Sequence, residues 1–214
     1  MDIHHSTKIV VRQIGNPEPI FAYDQFAFAT LNTLYSIVIK SDDVALKYLL
    51  SILNSSFIKE FWNYNFSDNK QLFPKIKGYQ LKQIPIKIIS ETDQKPFIEK
   101  ADIMLSLNKQ KQNKTSTFLH RLETNFKIEK FSNKLKSFYE YDFKTFVSEL
   151  NKKKIKLTLT QQDEWEEYFN AYKNEIVELQ KTIDETDKEI DQMVYELYGL
   201  TNEEIAIVEN ETEK

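Results

Sequence analysis

Between Asn63 and Lys82 the chain concentrates side chains of two complementary kinds. Asn63, Asn65, Asn69, Gln71 and Gln80 carry amides, each pairing a donor with an acceptor on one planar group. Such a group reads an adenine edge in the major groove, at about 1–3 kcal/mol of discrimination for a good bidentate contact. Lys70, Lys75, Lys77 and Lys82 interleave with them and suit phosphate oxygens, whose contacts set register without reading sequence. Arg12 and Gln13, at the end of an early β-branched run, offer the same two chemistries. A solvated lysine face explains the charge alone equally well. The neighbouring aromatics Trp62, Tyr64, Phe66 and Phe73 read as packing side chains rather than as platforms for bases.

Charge by region supports the same segment. The net charge of −4 divides unevenly: +3 over residues 1–90, +6 over 91–159 and −13 over 160–214. Within 61–90 five lysines stand against Asp68 alone, so a basic patch can face phosphates while the acidic end stays away from them.

Other chemistry is poorly supported. Asp42 and Asp43 with Lys47 read as a helix start rather than a metal site. Asp184, Asp187 and Asp191 fit an acidic, solvated helix face. His4, His5 and His120 lack metal-ligand spacing. There is no cysteine, which excludes disulfides and cysteine-ligated zinc and accords with a reducing cytoplasm. No apolar run approaches the ~20 residues that cross a bilayer, so a cytoplasmic protein without a membrane partner is expected.

The elements that must position these residues follow from periodicity and breakers. Lys8–Ile14 reads as a strand stopped by Gly15, Asn16 and Pro17; Ile20–Tyr23 is short and apolar, and Leu34–Lys40 is another strand candidate. Ser41 and Asp42 predict the cap of an amphipathic helix through Leu46, Leu49, Leu50, Leu53, Phe57 and Phe61. Asn63–Lys70 reads as a loop and Leu81–Ile89 as extended chain. The expected class is α+β: a small mixed module over 1–90, then a helical region over 91–214. In that second part Pro96 marks a helix start, and the polar interval Asn108–Thr117 is exposed or interrupted. One or two shorter helices lie within Phe131–Leu150. Thr160 with Asp163 and Glu164 is read as opening the last long helix. Its apolar positions Phe169, Tyr172, Ile176, Leu179, Ile183, Ile190, Met193 and Leu197 predict a coiled-coil-like seam over 165–198 or a long antiparallel pair. Gly199 ends it, and Thr201 with Glu204 caps a short helix over 201–208.

The order Leu53-Asn54-Ser55, then Phe73-Pro74-Lys75-Ile76, then Leu81 and Ile84-Pro85-Ile86 resembles the TaqI-like C-terminal specificity domain, the target-recognition part of restriction-modification enzymes. Glu189–Glu209, preceded by Asp163–Phe169, is similar to the ending of many bacterial restriction-modification methyltransferases and specificity subunits. The resemblance implies the C-terminal part of a type IIG restriction-modification enzyme or adenine-specific DNA methyltransferase. Its partners would be double-stranded DNA and a parent methyltransferase or nuclease domain or subunit.

Such a methyltransferase needs a glycine-rich cofactor loop and an Asn-Pro-Pro-aromatic motif. Three glycines, at 15, 78 and 199, supply no such loop, and Asn16-Pro17-Glu18-Pro19 only mimics the second motif and reads as a turn. The chain alone is therefore expected to be no enzyme and to hold no cofactor. S-adenosylmethionine and magnesium belong to the parent enzyme. The alternative is a helical scaffold that binds a partner chain, or itself, through the heptad helix.

Overall fold

A computed structural model describes residues 6–14, 18–40, 43–66 and 75–212, which form an α+β protein in two compact units. The first unit comprises residues 1–103 and 186–214, and the second residues 104–185. The expected cap at Ser41 and Asp42, and most of the turn at 15–17, lie outside the described residues.

The first unit is built on a three-stranded antiparallel sheet in the order β2-β1-β3. β1 (Lys8–Arg12) is central, paired with β2 (Phe21–Asp24) and β3 (Leu34–Ile37). Strand alternation divides its faces. Ile9 and Val11 point into the core and are fully or almost fully buried, with Phe21 and Tyr23 beside them on β2. The other face carries Lys8, Val10 and Arg12 with Ala22, Leu34 and Ser36.

Helix α1 (Leu46–Leu53) packs against β1 and β2 and buries every residue from Tyr48 to Leu53. The single helix expected through Phe61 is two: α1 stops at Asn54, and α2 (Ser56–Phe66) starts afresh. The break has a physical cause in three consecutive polar side chains. Asn54 accepts from the Phe21 backbone N–H at 3.0 Å and donates to its carbonyl at 3.0 Å, standing in for a strand beside β2. Buried Ser55 bonds back to the Ile52 carbonyl and caps α2 through the Ile58 N–H. Ser56 gives its backbone N–H and hydroxyl to Asp191 at 2.7 and 2.6 Å. Burial pushes the Asp191 carboxyl above its ordinary value, against the lowering effect of those two bonds.

The extended chain expected over 81–89 starts only after a short helix, α3 (Gly78–Leu81). Beyond it the Ile84-Pro85-Ile86-Lys87 segment is pinned by hydroxyls: Tyr48 donates to the Lys87 carbonyl and Tyr198 to that of Pro85, each at 2.6 Å. Burial first, then the neighbouring Tyr198, pushes Tyr48 up to about 12.

Helix α4 (Glu91–Phe126) is continuous through the polar interval, which is largely exposed. It starts five residues before Pro96, because the Ser90 side chain accepts from the Asp93 N–H and supplies the cap. Helix α7 (Leu159–Tyr198) is capped at Thr158, not Thr160: Thr158 and Gln161 exchange backbone and side-chain bonds as a capping box. Gly199 ends α7 at φ 72°, and the Leu200 N–H reaches the Tyr195 carbonyl at 3.0 Å. α8 (Asn202–Thr212) follows behind the expected Thr201–Glu204 capping box and packs on α2.

In the second unit α4 and α7 run antiparallel, tied by Lys111 with Gln180 and Lys114 with Glu175. In the first unit Lys100 meets Glu189 at 2.5 Å in the same sense. The heptad positions Phe169, Ile176, Ile183 and Ile190 are all buried within one chain.

The second unit is completed by α5 (Asn133–Lys136), a 3-10 turn at Phe138–Glu140 and α6 (Phe143–Lys152). Its core is an aromatic cluster around Phe118, which stacks on Phe138 at 3.7 Å between ring centroids. Buried Glu149 accepts from Lys152 and from the Ser132 hydroxyl, both at 2.6 Å, and those bonds hold its carboxyl below the ordinary 4.5 despite burial. A depressed carboxylate contributes stability that is present above its unfolded pKa and lost as pH falls through the folded one. Acid melts followed by Trp165 fluorescence should therefore show the second unit losing stability below about pH 4.5. Glu149→Gln should flatten that limb; an unchanged acid limb would mean that another carboxylate carries it.

Candidate nucleic-acid interface

One end of the sheet gathers several of the residues singled out by their chemistry. Beyond β1 the backbone of Gln13 bonds on both sides: its N–H to the Thr33 carbonyl at 3.0 Å, and its carbonyl to the Ile76 N–H at 2.9 Å. Ile14 bridges Lys75 in antiparallel fashion. Segments more than 60 residues apart in sequence thus meet, bringing Arg12 and Gln13 beside Lys75–Lys77. Arg12, Lys75 and Lys77 are exposed, whereas Gln13 is half-buried.

α3 is fastened to the same end. The Gly78 N–H donates to the Tyr35 hydroxyl at 3.1 Å, and the Lys77 ammonium lies 5.8 Å from the centre of the Tyr79 ring. Gln80 has a structural task there: it is only 9% exposed, and its side-chain carbonyl accepts from the Lys77 N–H at 2.8 Å. Lys82 is exposed at the end of α3.

Asn63 and Asn65 lie on the last turns of α2 rather than in a loop. Asn63 donates to Glu18 at 3.0 Å, while Glu18 also pairs with Lys59 at 3.4 Å. Asn65 is exposed and bonds back to the Phe61 carbonyl at 2.8 Å. Asn69, Lys70 and Gln71 lie outside the described residues, as do Phe73 and Pro74. Of the aromatics read as packing groups, Trp62 is buried, Phe66 half-buried and Tyr64 86% exposed.

The face turned away from the core holds a groove of about 360 Å³, lined by Val10, Ala22, Leu34, Ile20 and Ile76 with Arg12 and Glu18. Near the Lys8 end of that face the loop after β2 is organised by a buried ion pair. Lys8 lies 3.1 Å from Asp24 and donates to the Phe28 carbonyl at 2.6 Å. Asp24 in turn accepts from the N–H groups of Phe26 and Phe28. Ala27 takes a positive φ of 54° between them, and the two phenylalanines remain about two-thirds exposed. Sequence reasoning missed Glu18, Tyr35 and this loop. Lys8 and Asp24 are 16 positions apart, and only strand register pairs them.

The geometry suits a surface that meets a polyanion and offers hydrogen bonds beside it. Among the described residues no group of three or more His, Asp or Glu side chains could hold a metal ion. Nor, among them, is any helix long and apolar enough to cross a membrane.

No curated protein and no solved structure matches the chain. Two protein families do. Residues 90–194 match a family described as a domain of unknown function (DUF8810). The other match begins at residue 1 and ends on the Ile84-Pro85-Ile86 segment that the two tyrosines pin. Residues 1–86 match a family described as the TaqI-like C-terminal specificity domain.

Proposed function

We propose that residues 1–86 read a duplex DNA target and present it to a methyltransferase or nuclease part that this sequence does not contain. The parent would be a type IIG restriction-modification enzyme or an adenine-specific DNA methyltransferase. The observation that carries the reading is the meeting of Arg12 and Gln13 with Lys75–Lys77 at one end of the sheet, inside the span matched by a specificity domain. Arg12, Lys75, Lys77 and Lys82 hold phosphates, with Lys70 as a fifth. Gln13, Asn65, Asn69 and Gln71 supply base-edge contacts, whereas Gln80 and Asn63 serve the site by holding Lys77 and Glu18 in place. The chain itself performs no catalysis, and S-adenosylmethionine and magnesium act on the parent part.

The test is a gel shift with random duplex at two salt concentrations. An isolated module should bind weakly, with Kd of about 10⁻⁴–10⁻⁶ M at physiological salt. Arg12→Glu, Lys75→Glu and Lys77→Glu together should weaken binding uniformly across sequences. The slope of log affinity against log salt should become shallower by about 0.9 for every phosphate that the variant no longer neutralises. The side chains are exposed, so melting should not change. Unchanged affinity and slope would move the DNA face elsewhere.

The scaffold reading has less to stand on. Of the heptad side chains it needs for a partner, Phe169, Ile176, Ile183 and Ile190 are already buried within the chain, and Tyr172, Leu179, Met193 and Leu197 are half-buried.

A further inference from the structure

We propose that the second unit carries its own surface for the DNA backbone, formed where the ends of α4 and α6 come together. This rests on the reading of the chain as a DNA-binding protein and gives the helical part a direct share in it.

The sequence places eight lysines in two short segments: Lys127, Lys130, Lys134 and Lys136 over 127–136, and Lys152, Lys153, Lys154 and Lys156 over 152–156. Glu129 is the only acid within either segment. The fold brings the two together. The Lys153 ammonium donates to the Lys130 carbonyl, and Glu149 clamps Ser132 to Lys152. Charge that the sequence divides between two segments is thereby gathered at one place.

Two helices end at this place on an unusual residue. Lys127 and Lys154 close α4 and α6 at φ of 53° and 64°, in the left-handed region that glycine occupies at least cost. Compensation by the helix ends is too small to account for the lysines. Each C-terminus carries about half a negative charge, so two of them offset about one lysine. Glu149 offsets Lys152, and Lys134 lies 5.2 Å from the centre of the Tyr141 ring. Lys127, Lys130, Lys136, Lys154 and Lys156 remain exposed, and none of them is ion-paired among the described residues.

A cluster of exposed ammonium groups with so little acid among them is suited to a regular array of phosphates. Ammonium groups hold phosphate oxygens without reading sequence, so the expected contact is with the backbone and independent of sequence. The rival occupant is the acidic last quarter of a second copy, which is complementary in charge.

The test uses the full chain with Lys127, Lys130, Lys154 and Lys156 changed to glutamine, beside a version with the same four changed to arginine. If the surface holds DNA, the glutamine variant should flatten the log affinity against log salt slope by about 3 to 4, equally on specific and random duplex. The arginine variant should restore the slope. If the glutamine variant keeps the wild-type slope while the Arg12, Lys75 and Lys77 variant loses affinity, the second surface is wrong and the first stands. If wild type shows no salt-dependent duplex binding, both fall. If sedimentation shows wild-type self-association that the glutamine variant abolishes with DNA affinity unchanged, the occupant is a second copy and the proposal is overturned.

Discussion

Replacing Phe118 with alanine is expected to destabilise the second unit by about 3–5 kcal/mol, the usual cost of deleting a buried phenylalanine. Phe118 has no exposed surface and sits within ring-contact distance of Phe138, Phe146, Trp165, Tyr168, Phe169 and Tyr172. The cavity would open among rings contributed by α6, α7 and the 3-10 turn, so no single side chain can swing in to fill it. The measurement is built into the protein. It has two tryptophans, Trp62 in the first unit and Trp165 in the second. With Trp62→Phe as background, urea titration of Trp165 fluorescence reports the second unit alone. A loss below about 1 kcal/mol would show that the cluster can collapse around the gap.

The second large effect is expected at the other end of the chain. Lys8→Met removes the cation from a pair whose side chains are 0% and 7% exposed, leaving Asp24 buried without its counter-charge. Breaking one partner of a buried pair typically costs about 3–5 kcal/mol. Denaturant titration followed through Trp62 should show it. Asp24→Asn leaves Lys8 buried without its counter-charge in turn and should cost a similar amount, although the amide oxygen can still accept one of the N–H bonds from Phe26 and Phe28. A loss below about 1 kcal/mol in both variants would mean that the pair carries little of the stability.

What could be read from the sequence follows the range of the forces involved. Strand β1, helix α7 and the Gly199 stop were legible because each rests on neighbours within a few residues: β-branched alternation, heptad spacing, a left-handed glycine. The Thr201–Glu204 box was legible for the same reason. The break between α1 and α2 was not. Apolar spacing runs straight through Asn54, and only the distant Phe21 backbone and Asp191 reveal why the helix stops there. The early start of α4 was hidden by Pro96, which looks like a first-turn residue and is tolerated five residues in.

For the site, exposure of Lys75, Lys77 and Lys82 followed from their charge, while only the fold brings Arg12 and Gln13 beside Lys75–Lys77. Gln80 was misjudged in kind. An amide in a lysine-rich segment looks free in sequence, yet the nearest backbone N–H needing a partner lies three residues before it. Asn54, Ser55 and Ser56 turn out to be a joint between sheet, helix and C-terminal segment: Asn54 ties β2, Ser55 caps α2 and Ser56 holds Asp191.

The joint at Ser56 also sets an order of assembly during synthesis. Its partner Asp191 lies 135 residues downstream. At about 5–20 residues per second a ribosome needs roughly 7–27 seconds to make that stretch. Throughout that interval the strands and α2 exist without the end of α7 and without α8. The second unit, by contrast, is a single continuous stretch that is complete once residue 185 has been made. The part of the chain translated first is thus the last to be finished. A message cut short after residue 185 would yield an intact second unit joined to a first unit that never closes.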